Sequence, residues 1–137
     1  MVNLKTAKII VRVASLYNAS ALFVFLIPGG LALFGVKEPY SVFWQVLPAL
    51  LASYAAIVLF FSSNNLGRFG SFPYWNGIIR VIFAVTALLL DFKTSVGMFI
   101  GLLAIGDLLI GVLCIYILPK ATGNTHLQLL TNSLNNQ

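Results

Sequence analysis

Apolar residues along the chain fall into four long blocks, separated by short segments that contain polar, glycine or proline residues. The blocks cover Ala7 to Ile27, Ser41 to Ser62, Asn76 to Leu90 and Thr94 to Leu118. Because a helix needs about 20 mainly apolar residues to cross a bilayer, each block predicts one transmembrane helix, of which the third is short. The pattern predicts an all-α polytopic membrane protein: an antiparallel four-transmembrane-helix bundle over residues 1–118, with a polar tail over 119–137.

Two connections shape this predicted bundle. Pro28-Gly29-Gly30 either ends the first span or kinks it, since proline removes a backbone donor and glycine is flexible; a kinked span would extend to Val36. The segment DFKT at 91–94 is so short that the third and fourth spans must form an antiparallel hairpin.

Composition agrees with a membrane location. Hydrophobic residues make up 60% of the 137 and charged residues 8%, too few to cover the core of a soluble domain with polar surface. Four spans use nearly the whole chain, which leaves little mass for a soluble catalytic domain. Cys114 is the single cysteine, so an internal disulfide and a CxxC redox pair are excluded.

The distribution of lysine and arginine predicts the orientation, because basic residues are retained on the cytoplasmic face. One predicted face holds six of them: Lys5, Lys8, Arg12, Arg68, Arg80 and Lys120. The other face holds Lys37 and Lys93, which lie near Glu38 and Asp91. We therefore expect both termini in the cytoplasm and the protein in the inner (plasma) membrane.

A single carboxylate, Asp107, lies within the fourth apolar block, about 17 Å from its cytoplasmic end. An acid at the centre of a membrane helix costs about 2.5 to 3.5 kcal/mol, so such a group is usually paired or functional. The same arithmetic predicts a tier of polar groups at similar depth on the other spans, formed by Asn18, Thr86, Ser53 and Tyr54. We expect hydrogen bonds from this tier to hold the carboxyl.

Arg12 and Arg80 lie about one turn inside the predicted membrane. Each can snorkel to the cytoplasmic headgroups or reach inward to Asp107, and we expect snorkelling. An inward arginine would keep Asp107 ionised, whereas apolar surroundings alone would favour its neutral form. Arg68, Trp75 and Arg80 are also candidate contacts for an anionic lipid headgroup, although ordinary anchoring by positive charge explains them more simply.

Small residues form one face of the fourth span: Gly97, Gly101, Ala104 and Gly111. The spacing of Gly97 and Gly101 matches the small-xxx-small motif that lets membrane helices approach closely. The partner of this face is span one, span three or another subunit, and its small residues favour burial of Asp107 between helices.

Candidate catalytic and metal-binding residues are missing from the sequence. His126 is the single histidine and has no second ligand at metal-binding spacing, so no metal site is predicted. The serines have no histidine or lysine base in the same span, which leaves nucleophilic catalysis without a candidate. No cofactor is predicted, although a bound lipid or quinone is compatible with the spans, and no nucleic-acid partner is expected.

The layout resembles the DoxX-like group of small four-span bacterial membrane proteins. The similar features are a first span that opens with Arg12 and closes on LALFGV, a polar turn that contains Arg68, and a third span that opens on NGIIR. The resemblance covers residues 8–118 and rests on hydropathy and spacing. The resemblance implies that some members of the group are membrane subunits that work with a quinone-linked redox partner, chemistry that this chain could at most support, with no residue implied as catalytic.

Three functions follow as hypotheses. The first is a non-enzymatic membrane protein that acts by helix packing, as a homo-oligomer or as an accessory subunit of a membrane complex. The second is a small transporter or a proton or cation conductor that uses Asp107. The third is a protein that binds lipid or quinone between its spans.

Overall fold

The computed structural model describes residues 3–37, 39 and 41–134, and this part of the chain contains helices and no strand. The helices are α1 (Leu4–Leu26), α2 (Val42–Ser62), α3 (Leu66–Phe69), α4 (Ser71–Ala87), α5 (Ser95–Thr122) and α6 (His126–Thr131). The predicted all-α class is confirmed. Three helices, α1, α2 and α5, are long and apolar enough to cross a membrane, whereas α4 has 17 residues.

The long helices form two antiparallel hairpins, α1 with α2 and α4 with α5, which meet chiefly where α1 packs on α5. In the first hairpin, the Ser15 hydroxyl donates to the Ala56 carbonyl over 2.7 Å. In the second, Gly77 lies against Gly111 near one end of α4, and Ala84 packs on Ala104 nearer the other. The start of α1, the end of α2, the start of α4 and the end of α5 therefore share one end of the bundle.

Pro28-Gly29-Gly30 ends the first helix instead of kinking it. Helix α1 stops at Leu26, and Gly29 adopts a left-handed conformation with φ 80°. The chain then folds back as a 3₁₀ turn over Ala32–Phe34, and Phe34 packs on Phe99 at the start of α5, with ring centroids 4.9 Å apart. The extension of span one to Val36 is thus wrong.

Two other boundaries differ from the prediction because of where prolines are tolerated. Helix α4 begins at Ser71 and not at Asn76, with Pro73 in its first turn, where the backbone N–H has no helical acceptor to lose. Helix α5 continues through Pro119 to Thr122, and Gly123 ends it in a left-handed conformation. The tail that we predicted from residue 119 thus begins as helix.

The largest core cluster lies at the end of the bundle that holds the first and last described residues. It joins α1, α2, α3, α4, α5 and α6 through residues that include Val11, Leu59, Tyr74, Leu118 and Leu129. Away from this cluster, large apolar side chains on the outer surfaces of all four long helices are exposed, as at Phe23, Ile57, Ile82 and Leu109. An apolar exterior of this kind suits a surrounding of lipid.

The C-terminal helix α6 is docked on α4. Its start is closed by a capping box in which Thr125 and Gln128 exchange hydrogen bonds. Leu129 is fully buried, His126 Nδ1 lies 2.7 Å from the Tyr74 hydroxyl, and the Trp75 indole N–H donates to the Leu130 carbonyl over 3.0 Å. The described part of the tail is therefore an ordered element of the fold.

Candidate functional site

Arg80 occupies the centre of the buried face of α4, and this placement creates the most polar site inside the bundle. The buried residues on that face follow helical spacing: Pro73, Gly77, Arg80, Ala84 and Ala87. Small neighbours on both sides of Arg80 let α5 approach, so the arginine lies between helices with only 4% of its side chain exposed.

The guanidinium of Arg80 is bound by three helices. Its Nη1 forms an ion pair with the carboxylate of Asp107 on α5. Its Nη2 donates to Asn18 Oδ1 on α1 over 2.6 Å and to the Ala14 carbonyl over 3.4 Å. Its Nε donates to Asn76 Oδ1, one turn earlier on α4, over 2.8 Å. A buried charge is tolerated when such partners replace water.

Tyr17, on α1, also contacts the Arg80 guanidinium. The Arg80 guanidinium lies 5.3 Å from the centroid of the Tyr17 ring, within the range of a cation–π interaction. The Tyr17 hydroxyl donates to the Leu103 carbonyl of α5 over 3.0 Å, and a Cβ added to Gly106 would lie 2.8 Å from the same hydroxyl. Gly106 therefore leaves room for this side chain between α1 and α5. We call Arg80, Asp107, Asn18, Asn76 and Tyr17 the polar cluster.

The two arginines of the first and third spans behave differently. Arg12 is exposed and reaches the end of α2, where it donates to Ser63 Oγ and Asn64 Oδ1, each over 3.3 Å. The snorkelling that we predicted for Arg80 is wrong, because its side chain turns inward. Its hydrogen bonds go to α1, α4 and α5 in the bundle interior, so the guanidinium is directed away from a headgroup.

Of the predicted polar tier, only Asn18 belongs to the same hydrogen-bond network as Asp107, and the two are linked through Arg80. Thr86 is exposed and donates to the Ile82 carbonyl of its own helix over 2.8 Å. Ser53 donates to the Ala49 carbonyl of α2 over 2.6 Å, and Tyr54 is 70% exposed. Among the described residues, none of these three groups hydrogen-bonds to Asp107 or Arg80, so an interhelical tier of five groups is not formed. The Asn18 Nδ2 atom is buried without a hydrogen-bond partner in the described part of the chain.

The small-residue face of α5 divides into two parts. A Cβ added to Gly111 would lie 2.7 Å from the Gly77 carbonyl oxygen, and Ala104 packs on Ala84 and Ala87, so this part contacts α4. Gly97 and Gly101 instead face the turn before α5: the former lies against the Asp91 carbonyl and the latter against the Phe92 ring. The close approach of helices thus occurs at Gly111 and not at the Gly97-xxx-Gly101 pair.

The proposed headgroup residues are separated in the structure. Arg80 belongs to the polar cluster, and the indole N–H of Trp75 donates a hydrogen bond to α6. Arg68, on the short helix α3, is exposed with its guanidinium 5.2 Å from the centroid of the Phe69 ring. The three residues do not form one pocket.

An apolar groove runs between α4 and α5 on the outer side of the bundle. Its volume is about 380 Å³, and its lining includes Ala84, Ala87, Gly101, Ala104, Phe92 and Leu108. The groove exists because small residues on both helices leave a depression between larger neighbours. Every lining residue is apolar, so the groove suits a hydrocarbon chain or an apolar ring.

Asn76, Tyr17 and Gly77 belong to the site and were not singled out from the sequence. Asn76 precedes Arg80 by four residues, the spacing of neighbours on one helix face, and this signal was available. Tyr17 and Gly77 act through contacts between distant segments, which spacing along one helix does not encode. Among the described residues, no group of three or more His, Cys, Asp or Glu side chains is arranged to hold a metal.

Comparison with known proteins finds no family model that matches this chain, and neither a curated protein nor a solved structure matches it. The resemblance to the DoxX-like group therefore stays a prediction.

Proposed function

We propose that the chain is an inner-membrane protein that crosses the bilayer four times, with α4 as the third crossing. Helix α4 lies antiparallel along α5, and its 17 residues extend about 26 Å. The apolar residues Leu88, Leu89 and Leu90 continue from its end to the turn at Asp91. This length approaches the roughly 30 Å hydrocarbon core of a bilayer.

We also propose that the end of the bundle that carries α6 faces the cytoplasm. Five basic residues lie at or near that end: Lys5, Lys8, Arg12, Arg68 and Lys120. Lys37 and Lys93 lie at the opposite end, and Glu38 falls outside the described residues. Arg80 no longer counts toward this comparison because its charge is paired inside the bundle, yet the asymmetry persists and favours this orientation.

Within that membrane, the chain acts by helix packing and not as an enzyme, either as a homo-oligomer or as an accessory subunit of a larger membrane complex. The observation that carries this proposal is the pairing of Asp107 with Arg80, backed by Asn18 and Asn76. Asp107 and Arg80 neutralise each other's charge, and the contacts of Arg80 link α1, α4 and α5. Their role is thus to hold the helices in one arrangement, which presents a fixed apolar surface to neighbours.

The test is native mass spectrometry of the protein extracted gently from its own membrane. We expect the wild type to leave the membrane as a defined oligomer or complex, and Asp107→Asn to lose that assembly. Asp91→Asn is the matched control, because Asp91 is an exposed carboxylate in the turn between α4 and α5. A wild-type protein that is always a monomer would contradict the proposal.

The same variants test a transport function in proteoliposomes. If pH- or cation-dependent flux occurs in the wild type and Asp107→Asn abolishes it while the assembly stays intact, a conductor that uses Asp107 replaces the packing proposal. We expect equal flux from wild type, Asp107→Asn and protein-free vesicles.

A second candidate function is the binding of a lipid chain or quinone, and the groove between α4 and α5 favours it. Its volume of about 380 Å³ lies within the range of small-molecule sites, and its lining is apolar. Ala104→Phe would fill the groove, so a co-purifying lipid or quinone bound there should be lost from this variant and kept by Thr86→Val, which changes an exposed position outside the lining.

A further inference from the structure

A second pocket lies at the end of the bundle where α3, the start of α4 and the residues after α6 meet. Its volume is about 310 Å³, and its lining consists of Arg68, Phe69, Phe72, Asn132 and Leu134. The lining combines a cation, an amide and three apolar side chains. We propose that this pocket binds the phosphate headgroup of an anionic phospholipid, an inference that rests on the proposed membrane location and deepens it.

The charge of Arg68 is not neutralised by the described part of the chain. Asp107 is paired with Arg80, and Asp91 follows α4 at the opposite end of the bundle. The guanidinium is exposed and lies over the Phe69 ring, which orients its planar donors without using them. A guanidinium held in this way pairs with phosphate oxygens through two parallel hydrogen bonds.

Asn132 supplies a second donor on a backbone position that the fold fixes. It ends α6 in a left-handed conformation with φ 55°, and its backbone N–H donates to the Gln128 carbonyl. Helix α6 is in turn anchored by the buried Leu129 and by the bond from Trp75 to Leu130. The backbone that carries this amide is thus held at the same pocket as Arg68 by contacts within the fold.

The apolar part of the lining distinguishes a lipid from a free anion. Phe72 is 51% exposed on the outer side of α4, next to the lipid-facing surface of the bundle, and Leu134 borders the same pocket. A phospholipid matches this arrangement, with its phosphate on Arg68 and Asn132 and its glycerol and first methylene groups on Phe72 and Leu134. Inorganic phosphate would leave the apolar half of the pocket unfilled.

The test is a lipid titration followed by native mass spectrometry, with phosphatidylglycerol as the anionic probe and phosphatidylcholine as the zwitterionic one. Arg68→Gln should weaken phosphatidylglycerol binding at least about tenfold, because it removes the charge-assisted hydrogen bonds of the guanidinium. Asn132→Gly keeps the left-handed backbone without strain and removes only the amide, so it should weaken binding about threefold. Lys120→Gln is the control, because it removes one exposed charge from the same end of the bundle, where Lys120 lies over the Tyr116 ring.

Three outcomes would overturn the inference. Equal weakening by Arg68→Gln and Lys120→Gln would mean general attraction by positive charge, and equal binding of both lipids would mean that the headgroup charge is not recognised. Displacement of the lipid by millimolar inorganic phosphate would assign the pocket to a soluble anion. Arg68 lies outside the polar cluster, so Arg68→Gln should keep the assembly of the wild type. Failure of this inference is therefore distinguishable from failure of the packing proposal.

Discussion

At the scale of single residues, the shape of arginine explains why Arg80 suits the centre of this bundle. Its planar fork carries donors in fixed directions, and here they reach Asp107, Asn18 and Asn76 at the same time. The ring of Tyr17 covers one side of the fork. A lysine at this position would offer one flexible ammonium group, which cannot reproduce several separated bonds.

We predict that Arg80→Lys destabilises the protein by about 2 to 4 kcal/mol, because buried acceptors lose their donors while one charge remains. The measurement is equilibrium unfolding in mixed micelles, followed by the loss of helical circular dichroism. Arg12→Lys is the matched control: Arg12 is exposed at the bundle end, and we expect a change of under about 0.5 kcal/mol. Equal costs for the two variants would contradict the role assigned to the polar cluster.

The sequence predicted the depth of each polar residue and not the direction in which it points. The rise per residue placed Asp107, Asn18 and Thr86 at one level, but only the first two share a partner, Arg80. Depth depends on counting residues along one helix, whereas facing depends on how each helix is rotated against its neighbours. For Arg80 a rotational signal existed in the small residues Gly77 and Ala84 on either side of it, which mark the face that packs against α5.

At the scale of helices, the contact between α4 and α5 depends on backbone approaching backbone at Gly77 and Gly111. A Cβ at Gly111 would lie 2.7 Å from the Gly77 carbonyl oxygen and 3.1 Å from Arg80 Cβ, neither of which can move without shifting a helix. At Gly101 the nearest atom is Cε1 of the Phe92 ring at 2.6 Å, and that side chain can rotate.

We therefore predict that Gly111→Ala destabilises the protein by about 1 to 3 kcal/mol, the usual cost of overpacking. Gly101→Ala should cost clearly less, because the Phe92 ring is half exposed and can turn away. Thermal unfolding of both variants in the same detergent is the measurement. A larger loss from Gly101→Ala would indicate that the Gly97-xxx-Gly101 face is the closer contact, as the motif alone suggests.

Helix α6 provides a separate prediction, because Leu129 is its fully buried side chain in the contact with the bundle core. Leu129→Ala should release α6 from α4 through loss of a fully buried leucine, a change that commonly costs about 2 to 5 kcal/mol. Leu127→Ala, on the exposed face of the same helix, is the control. Hydrogen exchange over residues 126–131 should become faster in the first variant only, and unchanged protection there would show that α6 does not depend on Leu129.

Helix positions were more predictable than helix ends. The second block, Ser41 to Ser62, agrees with α2 to one residue, because polar segments bound it on both sides. The third and fourth blocks leave out Pro73 and Pro119, which the structure places inside α4 and α5. Proline breaks a helix only where it removes a needed hydrogen bond or clashes with the preceding turn, and that depends on its position within the helix.

At the scale of the whole molecule, the two hairpins place Lys93 and Thr125 at opposite ends of the bundle. The orientation of the bundle can therefore be tested by labelling each end from one side of a membrane. In a Cys114→Ala background, which removes the single and buried thiol, Lys93→Cys should react with an impermeant maleimide in intact cells. Thr125→Cys should react only after the membrane is opened. The reverse pattern would invert the proposed orientation, and equal access of both would contradict passage of α5 through the bilayer.

The pairing of Arg80 with Asp107 also has a consequence for biogenesis. Ribosomes deliver α4 before α5, so Arg80 reaches the insertion machinery while its carboxylate partner is still unmade. A lone arginine in a helix of only 17 residues opposes partition into lipid by about 2.5 to 3.5 kcal/mol. In the proposed topology, we therefore expect α4 to be retained at the translocon until Asp107 has been synthesised. The two helices α4 and α5 would then insert together. In the proposed four-span topology, charge neutralisation would thus set the order in which the helices enter the membrane.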